Sequence, residues 1–248
     1  MSTIYILWLR QIKRYSRSRS RIIGSLGQPV LFLIALGFGF GPIFQKAGQG
    51  SYIQFLAPGI IAMSILFTAI FSGIEIIWDR QFGFLKETLV APVSRLEIML
   101  GRTLGGATVA TFQGLIVFII SLLAGFKPQS VSGVILAVLI MLLTAILFTA
   151  LGTAIASILT DMQGFQLIMN FLIMPLFFLS GALFPLKDLP PLLKIITILD
   201  PLSYGVDGLR GALSATAHFG LPTDFFILIC TTTVLLGIGS FLFSKIQI

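Results

Sequence analysis

The chain has 248 residues, of which 56% are hydrophobic and only 10% charged, with a mean hydropathy of +1.04. A soluble domain carries about a quarter charged residues, so the composition excludes one and describes an integral membrane protein. The formal charge of +7 gathers in segments suited to anionic lipid headgroups, and no nucleic-acid partner is expected.

Residues 3–21, TIYILWLRQIKRYSRSRSR, are amphipathic if helical. Ile4, Tyr5, Trp8, Ile12 and Tyr15 fall on one side and Arg10, Lys13, Arg14, Arg17 and Arg21 on the other, the pattern of a helix lying in a membrane interface with its basic face toward lipid. Trp8, Arg10, Arg14 and Arg17 are the candidate residues of that interfacial helix, within a segment placed at 1–21. Six apolar runs then approach the roughly 20 residues that a bilayer demands. They are Ile22–Phe44, Phe55–Trp78, Thr103–Ala124, Val134–Leu159, Phe165–Phe184 and Phe225–Ser244. Continuous runs of this length exclude a β-barrel, whose strands alternate in polarity over about ten residues. The fold class is therefore an all-α integral membrane protein forming one transmembrane domain over 1–248. Pro175 is expected to kink the fifth span.

With both ends inside, the cytoplasmic segments hold Arg10, Lys13, Arg14, Arg17, Arg19, Arg21, Arg80, Lys86, Arg95, Arg102 and Lys245, and the outer ones Lys46, Lys127, Lys187, Lys194 and Arg210. That asymmetry sets both termini in the cytoplasm.

Between the second and third spans lies the long mixed-charge segment 79–102, DRQFGFLKETLVAPVSRLEIMLGR. Phe82, Leu85 and Leu89 recur at helical spacing. Ala91-Pro92 interrupts, because proline disfavours helical geometry in the residue before it. Ser94 followed by Glu97 has capping-box spacing and starts a new helix. This is a cytoplasmic elbow suited to docking a partner, with Phe82, Leu85 and Leu89 as an apolar plug and Arg80 and Glu87 setting its register. At the other membrane face, 186–221 holds the run LLKIITIL between Pro190-Pro191 and Asp200-Pro201. It is too short to span and too apolar for a free loop, so a pair of outer re-entrant helices is expected between spans five and six. Asp207 and Arg210, three apart, have the spacing of an ion pair.

Glu75 sits near the inner end of the second span with no evident partner in the membrane; it is either an intramembrane functional-site candidate, as an ion-coupled carrier would need, or a group that snorkels to the headgroups. His218 and Cys230 are the only residues of their kinds, so no catalytic dyad and no metal site is expected.

Two patches resemble the membrane subunits of ABC exporters of the type-2 permease class. One is the elbow, with Arg80, Gly83, Leu85, Glu87, Leu89, Pro92, Ser94 and Arg95 ending in Gly101-Arg102. The other is LSGALFPLKDLPPLLKIITILDPLSYGVDGLRGAL, although the family more often carries asparagine where Asp200 stands. The resemblance implies a permease of a bacterial-type inner membrane, dimerised with itself or a close relative and served by two copies of a separate ABC ATPase, which would hold the ATP and Mg. No cofactor belongs to this chain, and it lacks a GxxxxGK[ST] phosphate loop. It further implies ATPase coupling through Arg80, Phe82, Gly83, Leu85, Glu87, Leu89 and Pro92, and a substrate path bordered by the fifth span, with Asn170 and Ser180 as lining residues. An outer gate would involve Pro190, Leu193, Ile196 and Tyr204. The expected function is ATP-driven export of a drug-like, lipid-like or other amphiphilic substrate from the cytoplasm or inner leaflet. A glycopolymer exporter of the same class is the alternative, and an ion-coupled carrier or channel without an ATPase is the rival of another class.

Overall fold

A computed structural model describes residues 2–46, 50–85, 88, 92–186 and 190–245. Regular structure among them is helical throughout. An amphipathic helix α1 (Thr3–Arg17) precedes the first crossing, α2 (Arg19–Lys46). The second crossing is α3 (Tyr52–Phe71) continued by the short α4 (Ile74–Gln81). The third, fourth and fifth are α5 (Arg95–Leu123), α6 (Val131–Ile158) and α7 (Met162–Leu179). Two helices too short to cross follow, α8 (Pro191–Leu199) and α9 (Pro201–Ser214), before the sixth crossing α10 (Leu221–Ser244). The chain is an all-helical membrane protein with six spans at nearly the expected positions.

The ends of these helices follow from their capping residues. Ser94 accepts from Glu97 N at 3.2 Å while the Glu97 carboxylate accepts from Ser94 N at 3.3 Å, completing the expected capping box at α5. Ser130 and Asp161 cap α6 and α7 by accepting from Gly133 N and Gly164 N. Asp200 caps α9 through Leu202 N at 2.8 Å, with Pro201 preset in the first turn.

At the centre stands α3, packed against α2, α5, α6 and α9. Every residue from Leu56 to Leu66 is buried, as a helix apolar on all faces must be when protein rather than lipid surrounds it. The break between α3 and α4 was not legible in the apolar run. It occurs where a Cβ on Gly73 would overlap the backbone of Gly152, and one on Gly152 the backbone of Ile70. There the Ser72 hydroxyl donates to the Ala69 carbonyl at 2.6 Å and closes the turn. At the edge, α7 leaves Leu167 and Phe171 exposed, and Pro175 lies inside it.

Two expectations are corrected. A continuous helix from Arg80 to Leu89 does not form: α4 ends at Gln81, and Gly83 turns the chain at φ +81°, a conformation costly for any residue with a Cβ. Asp207 and Arg210 make no ion pair within 4 Å among the described residues. The Asp207 carboxylate instead accepts from His218 N and Phe219 N at 2.7 Å each, stapling the turn after α9. Arg210 donates to the carbonyls of Phe55 and Gly181 and stacks over the Phe55 ring, 4.1 Å from its centroid. Backbone groups left open at turns are stronger local claimants than a second side chain.

Candidate functional site

The end of the bundle that carries both termini is organised around α4. Glu75 and Asp79 are four residues apart on it, and Arg10 and Arg14 are four apart on α1, so each pair projects from one helix face and the two faces meet. Arg10 donates to Asp79 Oδ1 at 3.2 Å, and Arg14 lies 3.6 Å from Glu75 Oε2 and 3.8 Å from Asp79 Oδ1. Arg21, at the start of α2, reaches Glu75 Oε1 at 2.5 Å. Arg102 on α5 reaches Asp79 Oδ2 at 2.5 Å and is 4% exposed, so this last pair is buried on both sides. Four guanidinium groups thus share two carboxylates, leaving a positive surplus at the membrane boundary. Glu75 has partners after all, and Arg10, Arg14 and Arg21 are turned into the protein rather than toward lipid.

The next turn of α4 ties it to the remaining elements. Arg80 donates to Ser157 O at 3.1 Å and Leu159 O at 3.0 Å, a cation set on the open carbonyls at the C-terminus of α6. Trp78 Nε1 donates to Met162 Sδ at 2.5 Å, while Arg14 lies over its ring at 5.4 Å. The eight-residue α4 therefore touches α1, α2, α5, α6 and α7 through the side chains of Glu75, Trp78, Asp79 and Arg80. Arg95 closes the same end by donating to the Ser244 carbonyl of α10.

Contact with α5 holds α1 in place. A Cβ at Gly101 would lie 2.9 Å from Leu7 Cβ, and one at Gly105 would lie 2.6 Å from Gln11 Cβ, so these glycines form the groove that receives α1. Trp8 Nε1 donates to Thr108 Oγ1 at 3.0 Å and the Tyr15 hydroxyl donates to Gln113 Oε1. The helix is amphipathic as expected, but its inner face rests on protein.

Of the expected coupling residues, Glu87 and Leu89 lie outside the described residues. Leu85 is 2% exposed and belongs to the core, whereas Phe82 and Phe84 are 70% and 53% exposed. The turn at Gly83 causes this exchange, because it rotates the register on which Leu85 would have faced outward with Phe82. Pro92 is exposed. Beside the two phenylalanines opens a cleft of about 660 Å³, lined also by Tyr5, Lys13, Arg17 and Trp78. Apolar rings under a basic rim suit a protein partner that offers an apolar knob with acidic neighbours.

Away from the hub, Asn170 is exposed midway along α7. Ser180 is buried with its hydroxyl donating to Phe177 O at 2.8 Å and accepting from Ala182 N, which engages it in the turn that ends α7. Pro190 is the N-cap residue just before α8, Leu193 and Ile196 are partly buried along it, and the Tyr204 hydroxyl donates to Ile198 O at 2.9 Å, fastening α9 to α8.

The model of the ABC-2 type transporter family matches residues 2–214, covering both the α4 hub and the short helices α8 and α9. The chain belongs to the ABC-2 type transporter family. Among relatives of this ABC-2 chain, the transport permease ycf38 of Porphyra purpurea is 32% identical over 206 residues, 81% of this chain and 70% of its own length. Nodulation protein J of Rhizobium leguminosarum bv. viciae is 28% identical over 82% of this chain and 79% of its own length. The inner membrane transport permease YadH of Escherichia coli K12 is 29% identical over 90% of this chain and 87% of its own length. The family resemblance read from the elbow and from 179–213 is borne out, and this ABC-2 chain is a multi-pass transport permease.

Proposed function

We propose that this permease is the membrane half of an ATP-driven exporter for an amphiphilic substrate, drug-like or lipid-like, coupled to a separate ABC ATPase. The observation that carries the reading is the exposed pair Phe82 and Phe84 placed directly after the α4 hub. A push on that pair reaches α4, and α4 cannot move without its arginine partners on α1, α2 and α5 or the α6 carbonyls held by Arg80. Closure of two ATPase copies against two permease copies would thus shift several spans together, opening the route along α7. Two discrete packings of such a unit, rather than continuous bending, are what a close-packed interior permits. Catalysis of ATP hydrolysis belongs to the partner. Both termini face the cytoplasm in this reading, since the basic residues concentrate at their end. The ion-coupled carrier is disfavoured because Glu75, its candidate intramembrane carboxylate, is occupied by Arg21 and Arg14.

Purification of the tagged chain from its native membrane in mild detergent tests the reading. The expected result is a stoichiometric soluble subunit bearing a phosphate-loop lysine, lost from a Phe84→Asp variant that still inserts in the membrane. A preparation free of any ATPase under several mild conditions would overturn it.

A further inference from the structure

Asp200, in the joint between α8 and α9, has one oxygen that neither the fold nor the coupling hub uses. The residue is 4% exposed. Its Oδ1 accepts from Leu202 N and caps α9, but its Oδ2 is buried with no hydrogen-bond partner among the described residues. Among the described residues Asp200 is the only polar side chain lining a cleft of about 320 Å³ between α7 and α8, whose walls include Phe171, Pro175, Leu176, Leu179 and Ile196. Pro175 has no N–H, so the Phe171 carbonyl four residues earlier lacks its ordinary helical donor. Among the described residues no lysine or arginine forms an ion pair with Asp200. Burial pushes its carboxyl up to about 7, so near neutrality the group stands ready to take either a proton or a counter-charge.

An unpaired carboxylate in apolar walls is strongly disfavoured until a cation meets it. The cleft volume lies at the lower end of the range for small-molecule sites, about 300–1,000 Å³. We infer that this cleft binds a small amphiphilic organic cation, its apolar body against α7 and its ammonium on Asp200 Oδ2. The Phe171 carbonyl offers a second acceptor at the wall. An anionic amphiphile of the same shape is repelled, and a neutral one finds only the apolar walls. As a statement of substrate class it rests on the exporter reading, but the binding itself requires no ATPase.

The test uses the full chain in nanodiscs of zwitterionic lipid without nucleotide at pH 8. The probes are a dansyl-labelled octylammonium, its neutral N-acetyl analogue and the matching carboxylate. A charge-assisted hydrogen bond to a buried partner corresponds to a preference on the order of tenfold or more for the ammonium over the neutral analogue. Asp200→Asn, which keeps an oxygen for the α9 cap, should abolish that preference while retaining the affinity for the neutral probe. Leu199→Trp at the rim should weaken ammonium and neutral probe together. Equal binding of ammonium and neutral probe by the unaltered chain overturns the inference, as does a preference that survives Asp200→Asn, or no binding of any probe. Because no partner subunit takes part, these outcomes are separable from failure of the purification test.

Discussion

Asp79 shows how one side chain can decide the state of a whole membrane boundary. It receives Arg10, Arg14 and Arg102, but these contacts are not equivalent, since the Arg10 side chain is 40% exposed and that of Arg102 only 4%. The exposed contact is screened by water and contributes little. Breaking the buried one strands a guanidinium, a loss of about 3–5 kcal/mol. Asp79→Asn should therefore lower the midpoint of thermal unfolding in detergent markedly, Arg10→Ala hardly at all, and the double replacement Asp79→Asn with Arg102→Met should recover most of the loss. Equal effects of the two single variants would show that Arg102 does not depend on Asp79. The pairing was not read from the sequence, although carboxylates at 75 and 79 have the same four-residue spacing as arginines at 10 and 14. What no spacing could reveal was that side chains 69 residues apart in sequence, Arg10 and Asp79, meet face to face.

Among the elements, α1 and the elbow depart most from a reading of single helices. Amphipathicity identifies α1 as a helix with one apolar face, and lipid and protein are equally good solvents for such a face. The decision falls to α5, where Gly101 and Gly105 open a groove that leucine or valine would close. Gly105→Leu should lift α1 and speed tryptic cleavage at Lys13, whereas Gly39→Leu, at a position with open space around it, should leave the cleavage rate unchanged. Unaltered cleavage in Gly105→Leu would mean that α1 is held by its ion pairs alone. In the elbow, hydrophobic periodicity carried through Gly83 assigns Phe82 and Leu85 to one surface. The positive φ at Gly83 breaks that period, so Leu85 enters the core and Phe84 joins Phe82 outside. Periodicity counts residues and assumes that the helix continues.

For the molecule as a whole, the distribution of basic residues is the main guide to orientation. Lys127 lies at the end opposite the termini, and Ser16 lies on α1. In a chain with Cys230 replaced by alanine, a cysteine at 127 should react with a membrane-impermeant maleimide in intact cells, and one at 16 only after permeabilisation. The reverse pattern would place the termini outside and remove the basis for cytoplasmic coupling. Length and apolarity by themselves determined that the chain spans a membrane six times as helices, because a bilayer leaves no other way to satisfy the backbone of such runs. Local capping determined where α5 starts, at Ser94, whereas the apolar runs placed the starts of the other spans three or four residues late. Only the tertiary structure decided which charges meet, which face of α1 is buried, which phenylalanines of the elbow stay outside, and that Asp200 is left with an oxygen unpaired among the described residues. Those outcomes depend on which helices become neighbours, and neighbours are chosen by close packing at small residues such as Gly73, Gly101, Gly105 and Gly152.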